Sequence, residues 1–174
     1  IDEIPTRDYL ACCHLAAQSS GEISFEDPSA DLRTNAIGTL NMLEWCRSQG
    51  VGKFVFASSM SVYGDQPLYT PVVESVACVP KSFYGISKLT SEHLLNLYQS
   101  EFGLNFTTLR LFNVYGPGQN LDNLKQGMVS IYLKYLLDDG RIVVKGALDR
   151  YRDFIYVDDV VEVFSQAVNH TTFE

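Results

Sequence analysis

The chain contains the run Phe83-Tyr84-Gly85-Ile86-Ser87-Lys88, in which a tyrosine precedes a lysine by four positions. Apolar residues continue at helical spacing to Tyr98, which predicts a helix from about Tyr84 to Phe102 with Tyr84 and Lys88 on one face. An ammonium group one turn away, joined by the positive charge of a bound cofactor, favours the phenolate form of a tyrosine. Such a tyrosine can move a proton on and off a hydroxyl group.

A tyrosine and a lysine at this spacing are weak evidence by themselves, because 10 tyrosines and six lysines among 174 residues make chance pairs common. The run gains weight from the segment before it. Residues 53–58 form an apolar strand pattern that ends at Ser58, and a second hydroxyl residue, Ser59, follows directly. Ser59 precedes Tyr84 by 25 residues. A hydroxyl at the carboxyl end of a parallel strand and a helix leading to the next strand both face the crevice where such sheets bind ligands.

The order of elements along the chain predicts an α/β fold. Strand patterns alternate with helix patterns up to residue 112, and a mixed region of short elements follows. The predicted strands cover 9–15, 53–58, 105–112, 141–145 and 153–157, and the predicted helices cover 28–49, 84–102, 128–137 and 158–168. The predicted loops and turns cover 18–26, 64–82 and 113–119.

Composition excludes several classes of protein. With 46% hydrophobic residues the chain can bury a core, and no apolar run approaches the length of a membrane span. A net charge of −8 argues against nucleic acid as a partner. The four cysteines have no metal-binding spacing, and the apolar neighbours of Cys12, Cys13 and Cys46 predict buried reduced thiols, which suits a cytoplasmic protein.

Four groups of residues, in this order, resemble the extended short-chain dehydrogenase/reductase family. They are His14-Leu15-Ala16-Ala17, the set Ser59, Tyr84 and Lys88, Phe112-Asn113-Val114-Tyr115-Gly116-Pro117, and Arg152-Asp153-Phe154-Ile155-Tyr156-Val157-Asp158-Asp159. Within that family the chain is most similar to the NAD-dependent nucleotide-sugar epimerases of the UDP-glucose 4-epimerase type. The resemblance runs from about residue 9 to about residue 168.

The resemblance implies a role for each matching residue. Ser59, Tyr84 and Lys88 are the expected catalytic residues, with NAD as cofactor and no metal. Residues expected at the cofactor are Ala16, Ala17, Asn35, Ser58, Tyr84, Lys88 and Phe112. Residues expected at the UDP-sugar substrate are Ser59, Ser61, Asn113 and Arg152.

Purely structural roles remain open for several of these residues. Ser59 could cap the strand, Lys88 could lie on the surface, and Arg152 could pair with Asp149 or Asp153. His14 is interpreted as a packed histidine at a strand end, and Asn35 could equally be a locally bonded asparagine.

Residues 60 and 61 bear on the choice of reaction. In related 4,6-dehydratases an acid pair follows the serine or threonine and removes water from the sugar ring, whereas here the positions hold Met60 and Ser61. Epimerisation at C4 of a UDP-hexose, through a transient 4-keto sugar, is therefore favoured. A nucleotide-sugar 4,6-dehydratase or 4-reductase is the alternative.

No glycine-rich dinucleotide motif occurs in the sequence, although a Rossmann site needs one for the pyrophosphate. We therefore expect a central fragment: residues 1–118 as the second half of an NAD-binding domain without its first βαβ units, and 119–174 as part of a substrate domain. By itself such a chain should be weakly active or inactive. We also expect a homodimer through helices 28–49 and 84–102, and the alternative of another class is a non-catalytic dimerisation module.

Overall fold

The structure is a computed structural model that describes residues 4–5, 7–66, 71–144, 148–149 and 151–169. Its strands are β1 Cys12–His14, β2 Phe54–Ser59, β3 Phe106–Leu111, β4 Asn113–Tyr115 and β5 Phe154–Tyr156. Its α-helices are α1 Ile23–Glu26, α2 Pro28–Leu32, α3 Gly38–Gln49, α4 Phe83–Phe102, α5 Met128–Asp139 and α6 Val157–Asn169. A π-helical turn, Arg33–Ile37, joins α2 to α3, and a 3-10 turn, Met60–Val62, follows β2.

Two small parallel sheets organise these elements. The main sheet has the order β1-β2-β3, and its register sets His14 opposite Phe56 and Ser59 opposite Leu111. The second sheet pairs β4 with β5. Parallel strands joined by helices confirm the predicted α/β class, with a partial Rossmann-like sheet.

The main sheet is covered on both faces, because successive side chains of a strand point to opposite sides. On one side Phe54 and Phe56 pack with residues of α3 and α4, including Leu43 and Leu95, which have no exposed surface. On the other side Val55 packs against three residues of α6: Val160, Phe164 and Ala167. The unbroken apolar run of β2 is therefore typical of a strand buried on both faces.

Local signals in the sequence explain where the helices begin and end. The Asp27 carboxylate accepts a hydrogen bond from the Ala30 N–H at 2.9 Å, and Pro28 occupies the first helical position of α2. The Ser82 hydroxyl accepts a hydrogen bond from the Gly85 N–H at 3.0 Å at the start of α4. The helices α3 and α4 end before Gly50 and Gly103, as predicted.

Several predicted elements differ from the structure. Strand β1 is shorter than the predicted 9–15, and the predicted turn 113–119 begins with strand β4, because Asn113 finds a partner in the Asp153 carbonyl at 3.2 Å. The predicted loop 18–26 contains α1. Residues 141–144 form no strand, although Ile142, Val143 and Val144 favour one, because β-propensity needs a neighbouring strand. Lys145, at the end of that predicted strand, lies outside the described residues.

The predicted domain boundary between residues 118 and 119 stays a prediction. Strand β4 lies before the boundary and pairs with β5, which lies after it. Helix α6 also lies after the boundary, and it packs on β2 of the main sheet. The two predicted parts are therefore in close contact within the described chain.

All four cysteines are free thiols. Cys46 is buried and Cys12 is half-buried, but Cys13 is exposed, so the expectation of a buried thiol is wrong there. Cys13 follows Cys12 in β1 and therefore points to the opposite side of the sheet from Cys12 and the core of α3. Among the described residues, no helix has both the length and the apolar character needed to cross a bilayer.

His14 is packed inside the sheet, as the interpretation of a packed strand-end histidine expects. Its ring lies 5.6 Å from the Phe54 ring and 6.0 Å from the Phe56 ring, and its Nε2 atom is 3.1 Å from the Thr39 hydroxyl. Burial and the nearby charge of Lys88 lower the pKa of His14 to about 4. The imidazole is therefore neutral in the folded chain at neutral pH.

The depressed pKa of His14 predicts a loss of stability in acid. Above pH 6.5 His14 is neutral in both states, whereas between pH 6.5 and about 4 only the unfolded chain takes up the proton. We expect His14 to contribute a loss of up to about 3 kcal/mol across that interval. Urea unfolding from pH 7 to 4 should show a shallower loss for His14→Gln than for the parent chain.

The matched control is His93→Gln, because His93 is an exposed histidine of α4. That variant should keep the pH dependence of the parent. Equal slopes for His14→Gln and the parent would contradict the assigned role of the buried ring.

Candidate active site

A cavity of about 620 Å³ lies at the carboxyl end of β2. It is bounded by the loop after β1, the turn after β2, one face of α4, β4 and the segment before α5. Eight of the residues expected at the cofactor or the substrate line it: Ala17, Ser58, Ser61, Tyr84, Lys88, Phe112, Asn113 and Arg152. The structure therefore brings together residues that are up to 135 positions apart in the sequence.

Tyr84 is held at the cavity by close packing of the first turn of α4. A Cβ atom on Gly85 would lie 2.5 Å from the Ser61 carbonyl oxygen and 2.9 Å from Cβ of Pro80, so only glycine allows this approach. Tyr84 is 8% exposed. The contact between Gly85 and the turn after β2 fixes the distance between Tyr84 and the hydroxyls of that turn.

Ser59 caps the turn after β2 and also lies close to the expected catalytic tyrosine. Its Oγ accepts a hydrogen bond from the Ser61 N–H at 3.2 Å, so it caps the 3-10 turn, and it lies 3.2 Å from the Ser61 hydroxyl. The Ser59 hydroxyl also acts on the Tyr84 phenol, since hydrogen bonding by Ser59 favours a lower pKa of Tyr84. Ser59 does not itself line the cavity, whereas Ser61 and Tyr84 do.

Lys88 is buried, with 3% of its surface exposed, and is therefore not a surface lysine. Its Nζ donates a hydrogen bond to the Ala57 carbonyl at 2.9 Å and lies 4.8 Å from the centre of the Phe56 ring. Burial lowers the pKa of Lys88 to about 8, against an opposing effect of the Asp31 charge. Lys88 consequently brings a cation into a water-poor site.

The pKa of Tyr84 is raised, which differs from the expectation that the lysine favours the phenolate. Burial is the largest cause, the hydrogen bond from Ser59 acts against it, and the Asp31 charge raises the pKa further. Lys88 has its Nζ turned to the Ala57 carbonyl and 5.8 Å from the centre of the Tyr84 ring. In the chain without a cofactor, desolvation thus outweighs the lysine.

Asn35 and Ala16 do not line the cavity. Asn35 is 1% exposed; its side chain accepts a hydrogen bond from the Gln18 N–H at 2.9 Å and donates one to the Gln18 carbonyl at 3.0 Å. Its amide also lies 3.1 Å from the Ser87 hydroxyl. Asn35 therefore ties the loop after β1 to α4, behind the cavity wall, and Ala16 is exposed in that loop.

Asn113 and Arg152 lie on the side of the cavity formed by the second sheet. The Asn113 amide donates to the Asp153 carbonyl at 2.7 Å, and Arg152 is exposed and donates to the Tyr151 carbonyl at 2.8 Å. Among the described residues, Arg152 forms no ion pair with Asp149 or Asp153. A second cavity of about 500 Å³ adjoins the first, and both are lined by Met60, Ser61, Phe112, Asn113 and Arg152.

A partly buried ion pair behind the site was missed in the sequence. Glu92 of α4 and Arg110 of β3 form it at 2.7 Å, and the Ser58 hydroxyl donates to the same carboxylate. The sequence did offer a signal for this pair: α4 carries a glutamate among its apolar positions, and β3 carries an arginine within an apolar strand. Because buried charges need partners, the two residues could have been paired. Residues 19–22 and 125–129, which also line the cavity, carried no comparable signal.

Residues 2–173 match the NAD dependent epimerase/dehydratase family. The chain is 38% identical over 155 residues to UDP-glucose 4-epimerase of Mycolicibacterium smegmatis, covering 88% of this chain and 49% of that protein. The chain thus spans about half the length of this relative.

Solved structures give the same result. UDP-glucose 4-epimerase of Thermotoga maritima, solved with UDP-glucose, has a TM-score of 0.83 and 39% identity over 88% of this chain and 50% of that one. A dTDP-glucose 4,6-dehydratase of Streptomyces venezuelae, solved with NAD, has a TM-score of 0.86 and 28% identity over 95% of this chain and 50% of that one. Epimerases and dehydratases therefore share the arrangement of this chain.

The close approach at Gly85 makes a prediction about stability. Gly85→Ala should destabilise the chain by about 1–3 kcal/mol, because the added methyl group forces α4 away from the Ser61 carbonyl. The control is Gly38→Ala in α3, where the nearest atom to an added Cβ would be 3.8 Å away. That variant should gain up to about 1 kcal/mol from helix propensity.

Urea unfolding of the three proteins measures both effects. A Gly85→Ala variant as stable as Gly38→Ala would show that α4 does not depend on this contact.

Proposed function

Because the chain belongs to the NAD-dependent epimerase/dehydratase family, we propose that it contributes the catalytic residues of an epimerase acting at C4 of a UDP-hexose. The observation that carries the proposal is the convergence of the Tyr84 phenol, the Ser59 hydroxyl and the buried Lys88 ammonium at the carboxyl end of β2. A phenol that can lose its proton, next to a cation and a hydroxyl, is suited to oxidising an alcohol and reducing the ketone that results.

The residues at this end of β2 fit the nicotinamide half of NAD, the cofactor on which the family depends. Lys88 offers a cation for the hydroxyls of the nicotinamide ribose, and Phe112 offers an apolar ring in the cavity wall. NAD, when bound, supplies the acceptor and later the donor of a hydride. The cavity volume of about 620 Å³ lies within the usual range for a ligand site.

In the proposed reaction Tyr84 takes the proton of the sugar 4-hydroxyl while the hydrogen on C4 leaves as a hydride, which gives a 4-keto sugar. Ser59 donates a hydrogen bond to the same oxygen and stabilises the charge that develops on it. When the keto sugar presents its other face, the hydride returns to C4 and Tyr84 returns the proton. In the chain without a cofactor, burial keeps the pKa of Tyr84 raised. The positive charge of bound NAD would add to that of the Lys88 ammonium, and the two charges together would favour the phenolate.

Epimerisation is favoured over dehydration by the side chains of the turn after β2. Met60 and Ser61 line the cavity at the positions where related dehydratases carry an acid pair. Elimination of water needs a proton donor near C6, and neither side chain at these positions is a carboxylic acid. Glu22 also lines the cavity, but it comes from the loop after β1.

A homodimer through α2–α3 and α4 forms part of the proposal. These helices pack side by side in the core, yet Ile37, Leu97 and Phe102 are more than half exposed. Exposed apolar residues on two neighbouring helices support a four-helix interface between two copies. In sedimentation equilibrium we expect a dimer that Leu97→Glu weakens and Gln99→Glu does not, because Gln99 is exposed on a different face of α4. A monomeric complete protein would contradict the interface.

The proposed reaction predicts distinct effects of Tyr84 and Lys88 in the complete protein. Tyr84→Phe should lower turnover of UDP-glucose to its C4 epimer by about 10²–10⁴-fold, because the proton acceptor is lost, and should retain NAD. Lys88→Met should weaken NAD binding as well as turnover. Tyr98→Phe is the control, since Tyr98 also lies on α4 but bonds Glu44 away from the cavity.

Product analysis separates the alternatives. Mass spectrometry should find a product of unchanged mass, whereas loss of water would indicate a dehydratase and consumption of reduced cofactor a 4-reductase. If neither the complete parent protein nor its Tyr98→Phe variant binds NAD, the interpretation as a non-catalytic dimerisation module would be favoured.

A further inference from the structure

Asp31 is a buried carboxylate behind the cavity wall. It lies on α2, is 1% exposed, and accepts hydrogen bonds from three side chains of other segments. The donors are the Ser87 hydroxyl at 2.7 Å, the Gln18 amide at 2.8 Å and the Asn35 amide at 3.3 Å. Three donors of this kind stabilise a carboxylate in its charged form.

The hydrogen bonds do not supply the opposite charge that a buried carboxylate needs. Among the described residues, Asp31 takes part in no direct ion pair. An uncompensated charge inside a protein costs several kcal/mol, so buried charges are normally paired. The next residue after Ser87 is Lys88, a buried cation that is itself bound to a carbonyl and to no carboxylate of the described chain.

Several elements bring titratable or polar groups close to Lys88. Tyr84 lies one turn before it on α4, and Ala57 of β2 offers a carbonyl. His14 of β1 packs on the Phe56 ring, which the Lys88 ammonium also contacts. Glu92 lies one turn after it but is occupied by Arg110 and Ser58. Glu22 lines the same cavity but is exposed, so among the described residues Asp31 is the buried carboxylate that remains to balance Lys88.

We propose that Asp31 is a positioning residue that keeps Lys88 protonated in the buried site through its charge and holds α4 in place through Ser87. The two charges compensate each other across the wall between α2 and α4, without direct contact. Burial lowers the pKa of Lys88, and the Asp31 charge acts against this effect. The carboxylate therefore raises the pH up to which Lys88 stays protonated. The consequence for cofactor binding rests on the proposed function, whereas the charge coupling does not.

The test is a direct titration of Lys88 in this chain without cofactor. The chain is labelled with ¹³C-lysine, and the Lys88 Cε signal is assigned by its absence in Lys88→Met. In the parent the signal should titrate near pH 8. In Asp31→Asn, which keeps the size of the side chain but removes the charge, the midpoint should fall by about one unit or more.

Ser87→Ala is the matched control, because it removes the hydroxyl that bridges Asp31 and α4 but leaves the charge in place. Its Lys88 midpoint should stay near that of the parent. An unchanged midpoint in Asp31→Asn would overturn the proposal. An equal shift in Ser87→Ala and Asp31→Asn would also overturn it, because helix position would then be the cause.

A double-mutant cycle covers the case in which Asp31→Asn unfolds the chain. The substitution is made in the parent and in Lys88→Met, and its effect on the urea midpoint is compared. Asp31→Asn should lower the urea midpoint more in the parent than in Lys88→Met. The negative charge of Asp31 compensates the lysine, and in Lys88→Met there is no lysine to compensate. Equal losses, or failure to fold in both backgrounds, would overturn the proposal.

A second readout separates this inference from the proposed function. In the complete protein, Asp31→Asn should lose NAD affinity more at pH 8 than at pH 6, because the lysine is then neutral at the higher pH. A shifted Lys88 midpoint in a protein that binds no NAD would keep the charge coupling and reject the function. Equal loss of affinity at both pH values would reject the coupling.

Discussion

The buried ammonium of Lys88, bound to the Ala57 carbonyl at the end of β2, is the interaction on which the rest of the site depends. Removing a lysine from water costs several kcal/mol unless the surrounding groups compensate its charge. The carbonyl, the Phe56 ring and the more distant Asp31 charge provide that compensation. The same groups fix the lysine where the main sheet, α2 and α4 meet, so fold and chemistry share one set of contacts.

The position of α4 follows from contacts on three sides of the helix. Gly85 lets its first turn approach the Ser61 carbonyl, Ser87 binds Asp31 of α2, and Glu92 binds Arg110 of β3. These contacts are buried or partly buried and geometrically specific, whereas the exposed pair Arg47–Glu44 is screened by solvent and contributes little. The buried contacts therefore decide where Tyr84 lies, and surface charges add little. Even the unfavourable burial of Tyr84 persists, because the surrounding packing determines it.

The sequence predicted the α/β class and the helix α4 from period and caps, whereas most residues expected at the site came from the family resemblance. Eight of these residues line the cavity, and Ala16, Asn35 and Ser59 do not. It did not predict strand β4 or the lack of a strand at 141–144, since a strand forms only where a partner strand lies beside it. It also missed the partners of Asp31 and Glu92, which are up to 56 positions away in the chain. Apolar and polar patterns identify a buried face, but the partner of a buried charge is set by tertiary packing.

The position of bound NAD decides whether Lys88 and Tyr84 form the catalytic site. A crystal structure of the complete protein with NAD and UDP would show where the nicotinamide ribose lies relative to α4. We expect the ribose hydroxyls within hydrogen-bond distance of the Lys88 ammonium, with the nicotinamide ring in the cavity beside Tyr84. Nicotinamide bound elsewhere, with Lys88 still directed only at the Ala57 carbonyl, would contradict this expectation.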